Sequence, residues 1–107
     1  MAELGTPELH QSTVAERFQS LAWNWQDETA HLSSFTKRIL NPYYQQIIGM
    51  GPAAVPFLLR DHAREPKDWF WALYAVTGEN PVAAQDEGDV TAMSRAWLNW
   101  GKQRGMI

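Results

Sequence analysis

The chain has 107 residues, 45% hydrophobic and 20% charged, a balance that suits one soluble globular domain built on one hydrophobic core. Six Trp, four Phe and three Tyr exclude the aromatic-poor composition of a disordered chain, and the lack of Cys excludes disulfides, thiolate nucleophiles and thiolate-bound zinc. Nine basic residues scattered among twelve acidic ones give a net charge of −3, with no basic face to displace counterions from nucleic-acid phosphates.

The first residues, "MAELGTPELHQSTVAERF", lack the basic start and apolar stretch of a signal peptide. No apolar run approaches the roughly 20 residues that span a bilayer. The expectation is a cytoplasmic protein that does not enter a membrane. Residues 1–11 are expected to be loosely ordered, with one helical turn starting around Thr6, Pro7 and Glu8. Thr13 followed by Glu16 carries a capping-box signature. Val14, Phe18, Leu21 and Trp25 then form one face of a helix predicted over 13–32. Ser33 and Ser34 are expected to end it. From Phe35 to Leu40 the pattern fits either a helical continuation or an extended connector.

Asn41 and Pro42 restart a helix as N-cap and first residue, and Tyr43, Tyr44, Ile47 and Ile48 supply its apolar side. Gly49 and Gly51 close it. Pro52 and Pro56 confine the next helix to a start near Ala53, with Val55, Leu58, Leu59 and His62 as its stripe. Glu65, Pro66 and Lys67 form a joint. Asp68 is predicted to cap the following helix, and Gly78 to stop it. Residues 79–88 read as an acidic loop. Asp89 caps a last helix with the stripe Val90, Met93, Trp97 and Trp100, whose end Gly101 and Gly105 weaken. No stretch carries a hairpin signal. The fold expected is all-α, a single domain over 1–107 with about five helices. Phe18, Leu21, Trp25, Ile47, Val55, Leu59, Trp69, Leu73, Val76, Met93 and Trp97 are its predicted core.

"IIGMGPAAVPFLLRDHAR" followed by "DWFWALYAVTG", residues 47–78, resembles a HEAT-type helical repeat pair. The matching positions are Gly51, Ala54, Val55, Pro56, Leu58, Leu59, Ala72, Leu73, Val76 and Gly78, over roughly a third of the chain. Trp69, Phe70 and Trp71 are bulkier than that pattern's usual residues. Repeat units bury a continuous core only when stacked. The resemblance therefore implies a single HEAT-like hairpin roofed by the N- and C-terminal helices. The segments "ETAHLSS", "WFWAL" and "AWLNWG" also resemble a group of small bacterial proteins, which implies a bacterial source and no particular activity.

Candidate chemistry is sparse. Glu28 and His31, spaced as one half of a di-iron carboxylate site, lack a second Glu-x-x-His pair; a surface pair of Asp27 with His31 is the plainer account. Ser33 and Ser34 near His31 lack the strained turn and buried acid of a nucleophile. His62, on an apolar stripe, reads as a core histidine with one nitrogen bonded to a carbonyl. Gly49 to Pro52 lacks the Lys and Ser/Thr of a phosphate loop, and the acidic loop lacks calcium-loop spacing. No catalytic residue, metal ligand or cofactor site is expected.

The tryptophans stand out. Trp25, Trp69, Trp97 and Trp100 lie on their helices' stripes. Trp23 lies about 160° around its helix from Trp25 at ~100° per residue. Trp71 and Tyr74 define a second apolar face, able to pack on the last helix or to meet a partner. The expected function is a non-catalytic protein–protein interaction module: an adaptor, an inhibitor or antitoxin-like partner, or a small subunit of a bacterial complex. Trp23, Tyr43, Tyr44, Trp71 and Tyr74 are its candidate partner-binding residues, and the product of a neighbouring gene is a natural partner. The alternative is a nucleic-acid-associated accessory protein whose aromatics stack on unpaired bases, which would need a basic groove beside them; in the favoured reading nucleic acid is not contacted directly. A small hydrolase or metal-dependent enzyme ranks behind both.

Overall fold

The structure, a computed structural model, describes residues 7–107, with side chains from residue 13 onward. The described residues form six α-helices and no strand: α1 (Pro7–Thr29), α2 (Phe35–Ile39), α3 (Pro42–Gly49), α4 (Val55–Arg64), α5 (Phe70–Thr77) and α6 (Val90–Gln103). None of these helices is long and apolar enough to cross a membrane. The helix beyond the five expected is α2, from the ambiguous stretch. Two compact units divide the chain, one ending at Ala54 and the other spanning Val55–Ile107.

In the first unit α1 begins at Pro7, so Thr13 lies inside the helix and does not cap it. The expected loose segment, 1–11, is thus helical over 7–11, while 1–6 lie outside the described residues. The helix ends at Thr29, earlier than expected, where the Thr29 hydroxyl donates back to the Trp25 carbonyl at 2.7 Å. Of the stripe the spacing predicts, Phe18, Leu21 and Trp25 are buried, joined by Ala22 and Thr29, while Val14 is half-buried. Ser34 starts α2 and does not finish α1, its hydroxyl accepting from the Lys37 amide. Asn41 caps α3 through a bond from the Tyr43 amide at 2.9 Å, with Pro42 in the first position. Packing of α3 on α1 sets the Tyr44 ring against Trp25, centroids 5.2 Å apart. The Trp25 indole donates to the Arg38 carbonyl at 2.8 Å, which ties α2 to α1. Gly51, at φ +72°, turns the chain into a 3-10 turn, Gly51–Ala54.

The second unit is built on α4 and α6. Val55, Leu58, Leu59 and His62 are buried on α4, and Trp97, Trp100 and Gly101 on α6. Gly101 does not weaken the helix end. It is where Leu59 reaches the α6 backbone, since a Cβ there would lie 2.6 Å from Leu59 Cδ1. Beyond it, the Met106 amide donates to the Gly101 carbonyl and the Gly105 amide to that of Lys102, the paired bonds of a Schellman stop with Gly105 at φ +71°.

Trp69, not Asp68, occupies the capping position of α5, and Gly78 ends that helix in the left-handed region as expected. The loop 79–88 contains a 3-10 turn, Ala84–Asp86, and is pinned by buried Val82. Asp89 caps α6 by accepting from the Ala92 amide. Of the predicted core, Val76 and Met93 are only half-buried.

Candidate functional site

Helix α5 reads FWALYAVT and is apolar around its whole circumference. A helix of that kind is normally enclosed on all sides. Here only part of it is: Ala72 and Leu73 are buried, Phe70, Val76 and Thr77 half-buried, and Trp71, Tyr74 and Ala75 exposed. Trp71 and Tyr74 sit one turn apart and touch, with ring centroids 5.7 Å apart and planes inclined at 42°. They retain 41% and 46% exposure, so this paired ring surface stays open to solvent.

The other candidate surface residues separate clearly. Trp23 is 65% exposed on α1, opposite the buried stripe, as its position on the helix predicts. Tyr44 is fully buried. Its ring faces Trp25, on the side of α1 away from Trp23, so Tyr44 is a core residue and belongs to no partner surface. Tyr43 is half-buried at the start of α3. The sequence pattern could not separate Tyr43 from Tyr44, because α3 is too short for its apolar residues to define one direction.

Beside α5 lies a polar cluster that the sequence did not reveal. Asp61, on α4, accepts three hydrogen bonds: from Arg64 at 2.9 Å, from Lys67 Nζ at 3.1 Å and from the Trp69 indole at 2.8 Å. Burial alone would raise the Asp61 pKa. The bonds from Trp69, Lys67 and Arg64 outweigh it and hold the carboxyl below the ordinary aspartate range.

His62 is 1% exposed and bonded through both ring nitrogens. The Lys67 amide donates to Nδ1 at 3.3 Å, and Nε2 lies 2.6 Å from Ser94 Oγ. The partners are thus an amide and a hydroxyl, not the carbonyl expected. A backbone amide can only donate, so Nδ1 is unprotonated and the neutral ring carries its proton on Nε2, aimed at Ser94. Desolvation pushes the His62 pKa down, Asp61 raises it and Lys67 lowers it, leaving it below the ordinary histidine value.

This geometry decides the chemistry of the pair. A general base must receive the serine proton on the nitrogen facing it, and a third group must hold the other nitrogen's proton. Here the proton is on the serine side and the far nitrogen accepts a bond. Ser94 is itself buried within α6, 9% exposed. The pair is organised as a structural bond between α4 and α6.

The Glu28 and His31 spacing does not survive as a helix face, because α1 ends at Thr29 and His31 lies in the turn beyond it. Glu28 instead accepts from the Asn41 amide group at 2.9 Å. Among the described residues, no three His, Asp or Glu side chains gather as metal ligands. In comparisons with protein-family models, with curated proteins and with solved structures, nothing matches this chain.

Proposed function

We propose that this protein is a non-catalytic, cytoplasmic interaction module that binds another protein through the Trp71 and Tyr74 face of α5. The observation that carries the reading is a helix apolar on every side but enclosed on only one, with two touching aromatic rings at its open face. Isolated exposed apolar residues are ordinary. Two rings in contact on one helix supply a broad, rigid apolar surface at little entropic cost, the type of residue that dominates protein interfaces. Trp23 is a separate, single-ring candidate on the first unit. The tautomer of His62 favours a non-catalytic role, since the only buried Ser–His pair described is set the wrong way round for a base. A HEAT-like hairpin of α4 and α5 is supported by the succession of Gly51 turn, helix, joint, helix and Gly78 stop.

The test is capture from the source cell with the wild-type chain and with a Trp71→Ala/Tyr74→Ala variant of matched thermal stability. A stoichiometric protein retained by the first and lost by the second supports the reading. The same protein retained equally by both moves the interface elsewhere.

A further inference from the structure

Among the described residues, His62 is the one buried titratable side chain with both ring nitrogens committed, and its partners come from different elements. Within α4 it neighbours Asp61. From the joint, Lys67 offers both its backbone amide, bonded to Nδ1, and its ammonium, which is shared between Asp61 at 3.1 Å and Glu65 at 3.5 Å. From α5 the uncharged Phe70 meets the imidazole edge-on, centroids 4.8 Å apart, and from α6 the uncharged Ser94 hydroxyl meets Nε2. The segment tied down by these bonds leads directly into α5. Trp69, at the capping position, has an indole that can only donate and uses it on Asp61.

Adding a proton to this ring has one place to go, Nδ1. An N–H would then stand against the Lys67 N–H where a bond now exists, two donors facing each other in a buried site. The new cation would also compete for Asp61, whose carboxylate already serves Arg64, Lys67 and Trp69. Leaving such groups unmatched in a poorly solvated position is costly, whereas moving the short joint into water relieves it. The α4 to α6 contact does not share this problem, because the Nε2 proton continues to face the Ser94 oxygen, and Leu59 against Gly101 is purely apolar.

We propose that His62 is an acid-sensitive latch: protonation of its ring releases Lys67 through Trp69 from α4 and frees the start of α5, while α4 and α6 stay packed. The inference stands on the bonding of His62 and holds whether or not Trp71 and Tyr74 bind a partner. If they do, acidification alters how that face is presented.

The test is an NMR pH titration of the whole wild-type chain, following the His62 ring, the Lys67 amide, the Trp69 indole N–H and the Trp97 backbone amide. Protection from hydrogen exchange at Lys67 and Trp69 should fall at least tenfold with the same midpoint as the His62 ring, while Trp97 stays protected. His62→Gln, which cannot titrate but can still donate to Ser94, should remove the transition at that midpoint. The proposal is overturned if Lys67 and Trp69 stay protected while His62 titrates, or if Trp97 loses protection with them. It is equally overturned if a folded His62→Gln chain responds to acid as wild type does. Should that variant not fold, the shared or separate midpoints in the wild-type chain decide alone.

Discussion

The Trp69 indole donates to Asp61 Oδ2 at 2.8 Å, tying the entry of α5 to the middle of α4 across eight residues of sequence. Trp69 is fully buried, so its N–H has no water to turn to if the carboxylate is removed. Asp61→Ala should lower stability by about 2–3 kcal/mol, since a charged acceptor is lost and a buried donor is stranded. Asp61→Asn keeps an acceptor oxygen and should lose about half as much. Urea denaturation of the two variants checks the order. Equal losses would show that the charge, not the acceptor geometry, is what matters.

Leu59 of α4 packs directly on the α6 backbone at Gly101. Alanine favours a helix by about 1 kcal/mol over glycine, yet overpacking a core costs about 1–3 kcal/mol. With a Cβ 2.6 Å from Leu59 Cδ1, and 3.3 Å from Ile107, the second effect should win. Gly101→Ala should therefore destabilise by about 1 kcal/mol. In a Leu59→Ala background the clash is gone, and the same change should become neutral or stabilising. A double-mutant cycle measures that reversal.

Stability should fall in two steps as the solution is acidified. His62 has a folded pKa below its ordinary value near 6.5, so between the two the unfolded chain binds more protons. Stability is full above about 6.5 and declines as pH drops toward the folded value. Asp61 is also depressed, below 3.8, so its contribution persists above that value and is lost as pH falls through its folded pKa. Chemical denaturation at a series of pH values should show the first step vanish in His62→Gln and the second shrink in Asp61→Asn.

Trp23→Ala should leave stability within about 0.5 kcal/mol of wild type, because the ring is largely in water. A thermal melt is the check. A loss of 2 kcal/mol or more would mean that the ring packs on something in the folded chain.

Long, strongly periodic segments were readable from the sequence. The spacing of Phe18, Leu21 and Trp25 on α1, and the caps Asn41, Gly78 and Asp89, announce themselves through local chemistry. What was not readable depends on distant neighbours. Gly101 looks like a helix breaker until Leu59 is seen against it. Tyr44 looks as available as Tyr43 until α3 turns it onto Trp25. The Asp61 cluster joins an ordinary i, i+3 helical partner, Arg64, to donors six and eight residues away, Lys67 and Trp69, which only the bend at the joint brings back, a spacing that no helical or extended period encodes. The face of α5 was legible only as a second apolar side. Its exposure is a property of packing.

The most direct test of the account is a paired measurement on Trp71→Ala: thermal stability, and affinity for the protein that the wild-type chain captures. Stability should fall by only about 1–2 kcal/mol, since Trp71 is partly covered and keeps 41% exposure. Affinity should weaken by about 2 kcal/mol or more, roughly thirtyfold. A variant that melts early yet binds normally per folded molecule would make Trp71 a packing residue and contradict the proposed interface.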